Sequence, residues 1–458
     1  MATIELAQTL ASQHRGPVIS PQDPEYESAR ALYNAMIDKR PAVIAQCVDA
    51  ADVSSAVGFA RANGLEIAVR GGAHNGGGLG SVDDGLVVDL SPMRGVIVDP
   101  GRRTAVALGG SLLGDVDHAT HPHGLALPFG FISTTGIGGL TLGGGVGNLT
   151  RTMGLTIDSL MGADVVLADG SFVRASEEEN EDLFWALRGG GGNFGVVTAF
   201  TFRLQPVAGI VAGPTMWSLD RAPEILSWYR DFIHTAPEEL NGWFAFLTVP
   251  PVPMFPEELH LKKMAAVLWT YVGSKEDADE ALAPARALGP DLDGVGEVPL
   301  PVLNSLFDAL YPAGHQWYWR ADYVREIPDE AVERHVEFAQ RMPTPQSTMH
   351  LYPLSGAPAR VANDATAWAY RDAGWVQVMV GVDPDPAKAA ELREFSVSYW
   401  EALHPYSMGG AYVNMMMADE GDERVRATYR GNYERLARVK AEYDPDNVFH
   451  VNQNIRPT

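Results

Sequence analysis

The strongest constraint on this chain is where its glycine lies. Residues 71–80 hold six glycines, 124–150 hold nine and 185–195 hold five, so 20 of the 47 fall in three short stretches. Glycine inside a helix or strand costs roughly 0.5–1 kcal/mol relative to alanine. Each stretch is nevertheless flanked by strong helix or strand signals, which argues against three merely flexible loops. Clustered glycine lets a backbone approach a ligand closely and turn its N–H groups into an anion-binding concavity.

Composition narrows what that ligand and its host can be. At 458 residues the chain exceeds the ~250–300 at which one core usually stops growing, so two domains are expected. With 34 Lys+Arg against 58 Asp+Glu the formal charge is −24, which argues against nucleic acid or an anionic membrane as partner. The single cysteine, Cys47, cannot form an intramolecular disulfide. Residues 1–18 lack the apolar run of a signal peptide, and no stretch reaches 18 apolar residues. A cytoplasmic location is the expectation; the oligomeric state stays open, with a homo-oligomer among the possibilities.

The pattern along the chain predicts an α+β fold. Ala51–Asn63 has helical spacing and stops at Gly64, and Ile67–Val69, Leu86–Leu90 and Val96–Val98 read as strands. Asp164–Ala168, Asp169-Gly170 and Phe172-Val173 read as a hairpin, Asp182–Arg188 as a helix and Val196–Leu204 as a strand. Beyond Pro206–Pro214 the elements lengthen: helices over Glu224–His234 and Asp329–Arg341, strands over Leu261–Val272 and Gly374–Val382. A single charged helix is expected over Glu423–Tyr443. The organisation read from this is a domain over 1–208, a second over 209–415, and a tail over 416–458 that returns to the first.

Common nucleotide fingerprints do not match. No G-x-x-x-x-G-K-[ST] occurs. Gly136-Ile137-Gly138-Gly139-Leu140-Thr141 begins as G-x-G but has Thr in place of the third Gly, and the turn after Val69 is not followed by a helix, so a dinucleotide Rossmann domain is disfavoured. His118, His121 and His123 lack the partner spacing of a metal site, and no metal is expected.

Four segments, in order, resemble another family. Arg70-Gly71-Gly72-Ala73-His74-Asn75 with Gly78 is similar to the first pyrophosphate loop of the vanillyl-alcohol oxidase / p-cresol methylhydroxylase flavoproteins, and within them of the berberine bridge enzyme-like oxidases. Ser133-Thr134-Thr135-Gly136 through Gly138, Gly139, Gly143 and Gly144 resembles the second loop. Asp182–Val197, ending in Gly189-Gly190-Gly191-Gly192-Asn193-Phe194-Gly195, is a third match. Tyr443–Phe449 with Asn452-Gln453-Asn454-Ile455 resembles the C-terminal signature.

The resemblance implies a two-domain FAD-binding fold of the p-cresol methylhydroxylase type with a separate α+β substrate domain. It implies FAD held by these loops, by Val197, and by Asn452 and Asn454. It also implies a covalent bond from the His74 imidazole to the flavin. Many relatives carry a second link through a cysteine that falls at Ile132 here, so a single link is expected. Thr135 stands where relatives admit or block dioxygen.

For the substrate side, the resemblance points to Tyr412 and Asn414 on an active-site strand, to Tyr370 where many relatives have a His near the ring, and to Tyr352 near where some carry a catalytic Glu. A free tyrosine has a pKa near 10, so any of them needs help to act as a base. Trp243, Trp317, Tyr318 and Trp319 are candidates for a substrate pocket; an aromatic core explains them equally well. The expected activity is oxidation of a small alcohol, amine or hydroxylated natural product by hydride transfer to flavin, with dioxygen as acceptor and hydrogen peroxide as product. A dehydrogenase with another acceptor, and a flavin-binding protein without turnover, are the alternatives.

Overall fold

The computed structural model describes residues 3–458. Its first unit carries two sheets. Strands Val43–Gln46, Leu86–Asp89 and Ile67–Arg70 run parallel, with Val18–Ile19 antiparallel at the edge. The helix Ala50–Asn63 makes the crossover that parallel strands require. Asp49 caps it, its carboxylate accepting from the Asp52 amide at 3.0 Å, and Gly64 ends it at φ +65°. The second sheet is antiparallel, in the order Val96–Asp99, Thr104–Leu108, Val196–Arg203, Leu160–Val166, Phe172–Ser176.

The second unit is one large antiparallel sheet rather than a βαβ array. Its long strands lie in the order Ile210–Ser218, Lys263–Val272, Leu240–Thr248, Thr348–Pro353, Trp375–Asp383, Gln316–Val324. Successive side chains of a strand point to opposite faces. Phe244, Phe246, Met349 and Leu351 face the helices Ala222–Phe232, Asp329–Gln340 and Ala389–Leu403 and build one core. Trp243, Ala245, Tyr352 and Val376 face the other way, toward Tyr33, Val146 and Leu155 of the first unit. Burial on both faces is why these strands read as nearly unbroken apolar runs.

The C-terminal segment packs back onto the first unit. The buried Lys440 ammonium donates to the Asn193 carbonyl at 2.6 Å, the Phe449 carbonyl at 3.1 Å and the Asp444 carboxylate at 2.6 Å. Asn193 in turn receives the Ile455 amide at 3.0 Å, which ties the tail to the third glycine stretch. Two sequence expectations are corrected here. The tail helix is broken into Asp422–Tyr429 and Tyr433–Tyr443, because Gly431 and Asn432 favour a turn and Arg430 sits at φ +48°. Gly409–Asn414 is not a strand: its Gly410 carbonyl accepts from the Tyr323 amide, its Ala411 amide donates to the Thr428 hydroxyl, and the chain turns at Val413–Met415. No helix among the described residues is long and apolar enough to cross a membrane.

Candidate active site

All three glycine stretches border one cavity of about 380 Å³ between the two units. The loop after the strand Ile67–Arg70 forms its floor. In this loop the amides of residues 71–75 donate to no acceptor among the described residues, although the segment is only partly exposed. Buried N–H groups are almost always paired, so a row of free ones suits an anion. Ala73 at φ +60° gives the loop the curvature of such a concavity.

The second loop lies against the first. A Cβ on Gly72 would overlap the Gly136 amide, so the two backbones can meet only as glycines. The short helix Ile137–Leu142 then presents the first-turn amides of Gly138 and Gly139, which have no acceptor within a helix. A Cβ on Gly139 would meet nothing within 4 Å, because that position faces the cavity. Arg70 is buried and paired with Asp89 through Nη2 at 2.7 Å, while its Nη1, beside the cavity, has no partner. Across the third stretch, Asn452 donates to the Gly192 carbonyl at 2.9 Å and closes this end. Free amides, a spare guanidinium nitrogen and glycine-lined space together fit a dinucleotide diphosphate.

His74 stands where this end meets the rest of the cavity. Its ring stacks on Tyr33 with centroids 3.9 Å apart, and its Nε2 lies 3.0 Å from the Thr134 hydroxyl. Thr135 Oγ1 is 3.5 Å from Nδ1. Burial pushes its pKa down to about 4, so near neutral pH one ring nitrogen carries a free lone pair.

Beyond His74 the walls are aromatic and aliphatic: Phe131, Trp243, Phe307, Tyr311, Trp317 and Trp319, with Val378 and Val380. No carboxylate or ammonium lines the cavity among the described residues. Its polar groups are few. The Tyr412 oxygen accepts from the Gly145 amide at 2.9 Å, the Val146 amide at 3.2 Å and Asn414 Nδ2 at 2.9 Å. Burial raises its pKa and these three donors oppose the rise, so the phenol is neutral and its own proton points away from them. Tyr352 stacks on Phe131 with centroids 4.5 Å apart and bonds His350 at 2.6 Å.

The structure thus brings Arg70, Gly71, Gly72, Ala73, His74, Asn75, Thr135, Gly138, Gly139, Val197, Asn452, Tyr352, Tyr412 and Asn414 to one cavity. Other expected site residues do not border it. Tyr370 is a correction: it stacks on Tyr323 at 4.2 Å, lies under Arg430 and donates to the Ala427 carbonyl, so it is a packing residue. Gly78 turns the loop at φ +71° against Ile37. The Ser133 amide and hydroxyl both bond Asp308, and Thr134 reaches the site only through His74. Gly143 and Gly144 make room for Asn414, Trp368 and Tyr412 rather than for a ligand. Asn454 is set back from the cavity, its Oδ1 buried without a partner. Strand alternation turns Tyr318 outward to Asp419 while Trp317 and Trp319 face in. Sequence reading missed His350, Phe131, Tyr33 and Tyr311. For His350 a signal existed: Thr348, His350 and Tyr352 occupy alternate positions of one strand.

Comparison with known proteins places this geometry. Residues 41–176 match the model of the FAD binding domain, and residues 411–456 match that of berberine and berberine-like proteins. An uncharacterised FAD-linked oxidoreductase of Bacillus subtilis, YgaK, is 31% identical over 455 residues, covering 96% of this chain and 97% of that protein. Glucooligosaccharide oxidase of Sarocladium strictum is 30% identical over 460 residues, covering 93% of this chain and 89% of that one. The crystal structure of 6-hydroxy-D-nicotine oxidase from Arthrobacter nicotinovorans superposes with a TM-score of 0.86 at 27% identity, covering 97% and 98% of the two chains.

Proposed function

The chain belongs to the FAD-linked oxidoreductases of the berberine-like family, and from that premise we propose that it oxidises an uncharged, hydroxyl-bearing substrate with an apolar or aromatic face. It is an enzyme that binds FAD, which when bound supplies the acceptor for a hydride. The observation that carries the substrate reading is the make-up of the cavity beyond His74, with aromatic walls, only neutral polar side chains and no carboxylate to meet a cationic amine. Burying an unpaired charge there would be costly, whereas a neutral alcohol needs only a donor and an acceptor. Tyr412 supplies the donor and Tyr352 the acceptor. Asn414 holds Tyr412 in place, its Nδ2 also donating to the Leu140 carbonyl at 3.0 Å.

The amides of residues 71–75, 138 and 139, with Arg70 Nη1, would hold the diphosphate, and His74 would carry the single covalent link. The neutral imidazole supports this, because only an unprotonated ring nitrogen is nucleophilic. Ile132 borders the cavity and offers no second attachment. Thr135, small and beside His74, leaves room for dioxygen, so the proposed acceptor is dioxygen and the proposed product hydrogen peroxide.

The test is anaerobic mixing of the holoenzyme with a panel of neutral aromatic alcohols and matched amines, followed by air. Bleaching by an alcohol, with rapid return of colour and stoichiometric hydrogen peroxide, is expected. Bleaching by amines alone would overturn the substrate reading. Bleaching that air reverses only slowly would replace the oxidase by a dehydrogenase.

A further inference from the structure

Three side chains of the strand Thr348–Pro353 face the cavity in succession, and their hydrogen bonds can be given a direction. The Thr348 hydroxyl has one proton, which it donates to the Phe246 carbonyl at 2.7 Å. It must then accept in its 3.0 Å contact with His350 Nε2, so Nε2 carries the ring proton. In a neutral imidazole Nδ1 is then a bare acceptor, and the 2.6 Å bond between Nδ1 and Tyr352 is one in which the phenol donates. Burial keeps the ring neutral, with its pKa pushed down to about 3. The titratable groups that bear on Tyr352 from packed elements are Tyr311 and Tyr412, both neutral, and no carboxylate or ammonium bears on the pair. Trp243 packs edge-on against the imidazole with ring centroids 5.0 Å apart and holds it against the cavity wall.

We propose that Thr348, His350 and Tyr352 form a proton relay, in which His350 is the positioning residue that makes Tyr352 the acceptor of the proton leaving the substrate. With its own proton committed to His350, the Tyr352 oxygen has only lone pairs to offer the cavity. A substrate hydroxyl must therefore donate to it. The step balances as follows. The carbinol carbon gives up a hydride, whose electron pair FAD accepts. The substrate O–H bond breaks and its proton passes to the Tyr352 oxygen, while the former Tyr352 proton moves to His350 Nδ1. The substrate leaves as a carbonyl compound. Imidazolium in this apolar setting is a strong acid, so once the product has left it returns its proton to Tyr352, and the substrate-derived proton leaves the phenol for water entering the emptied cavity.

The second arm of the test rests on the alcohol-oxidase reading; the first does not. In holoenzyme labelled with ¹⁵N-histidine, the resonance absent from His350→Gln should show a protonated Nε2 and an unprotonated, hydrogen-bonded Nδ1, unchanged from pH 5 to 8. Tyr352→Phe should perturb Nδ1 alone. A His350 that titrates in that range, or holds its proton on Nδ1, overturns the relay. In the second arm, on whichever alcohol bleaches the flavin fastest, His350→Gln should lower kcat about 10²- to 10³-fold while KM and flavin content stay within about threefold. Glutamine can accept the Tyr352 hydrogen bond but cannot take its proton. Burial holds the Tyr352 phenol far above the ordinary tyrosine range, so alkaline pH should not rescue the variant, and Tyr352→Phe combined with His350→Gln should be no worse than Tyr352→Phe alone. An unchanged kcat in His350→Gln, or a loss confined to KM, overturns the proposal. If no alcohol bleaches the flavin, the substrate reading fails and the resonance arm still decides the relay.

Discussion

Tyr412 shows how a single side chain can be read only once its neighbours are known. Its place in Tyr412-Val413-Asn414 marks it for the site, but the sequence does not reveal that three N–H groups converge on its oxygen. Two of those donors, the Gly145 and Val146 amides, come from a glycine loop nearly 270 positions away. Tyr412→Phe should leave the Gly145 and Val146 amides unpaired, at roughly 1–3 kcal/mol for a buried group. A lower Tm together with a lower kcat is the expected outcome, measured by thermal unfolding and flavin reduction. An unchanged Tm would mean that those amides have found water instead. Tyr370 carries the opposite lesson: it lies between Trp368 and Arg371 in a stretch that reads as site-like, yet stacking on Tyr323 and the Arg430 guanidinium takes it into the packing.

At the scale of elements, the glycine stretches were legible because their conformational cost must be offset by a ligand. Their division of labour was not, since Gly72 serves loop-to-loop contact and Gly139 faces open space. Gly72→Ala should force the first two loops apart, lowering both Tm and flavin content. Gly139→Ala should leave the apoprotein's Tm within about 1 °C but reduce flavin content, since its Cβ enters only the space the cofactor would use. Flavin absorbance per protein and calorimetry check both; equal flavin content in Gly139→Ala would remove that position from the cradle. The irregular 409–414 segment escaped sequence reading because tertiary contacts from Tyr323 and Thr428 override its local pattern, whereas Gly431 and Asn432 were a local signal for the break in the tail helix.

Across the whole molecule, the proposed cradle of local amides would reconcile an anionic ligand with a charge of −24, since it needs no bulk positive charge. The two units also meet outside the cavity. Buried Asp117, in the helix Leu113–Thr120, accepts from Asn304 Nδ2 at 2.9 Å, in the helix Leu300–Asn304. Burial pushes the Asp117 carboxyl up to about 7. A folded-state pKa above the unfolded value means the folded chain holds a proton the unfolded one has lost. This contribution is therefore fully present below about pH 4 and lost as pH rises through 7. Asp117→Asn should flatten the fall in Tm between pH 5 and 8 and raise Tm at pH 8. A variant whose Tm falls with pH as steeply as the wild type would place the titration elsewhere.

On the proposal above, one cavity would hold FAD through clustered amides and a covalent bond at His74. The most direct measurement is acid precipitation of the purified holoenzyme, followed by washing and inspection of the pellet for flavin absorbance. Wild-type protein should keep its yellow colour in the pellet, and His74→Ala should release it to the supernatant. Colour in the wild-type supernatant, or colour retained in the His74→Ala pellet, would contradict the account.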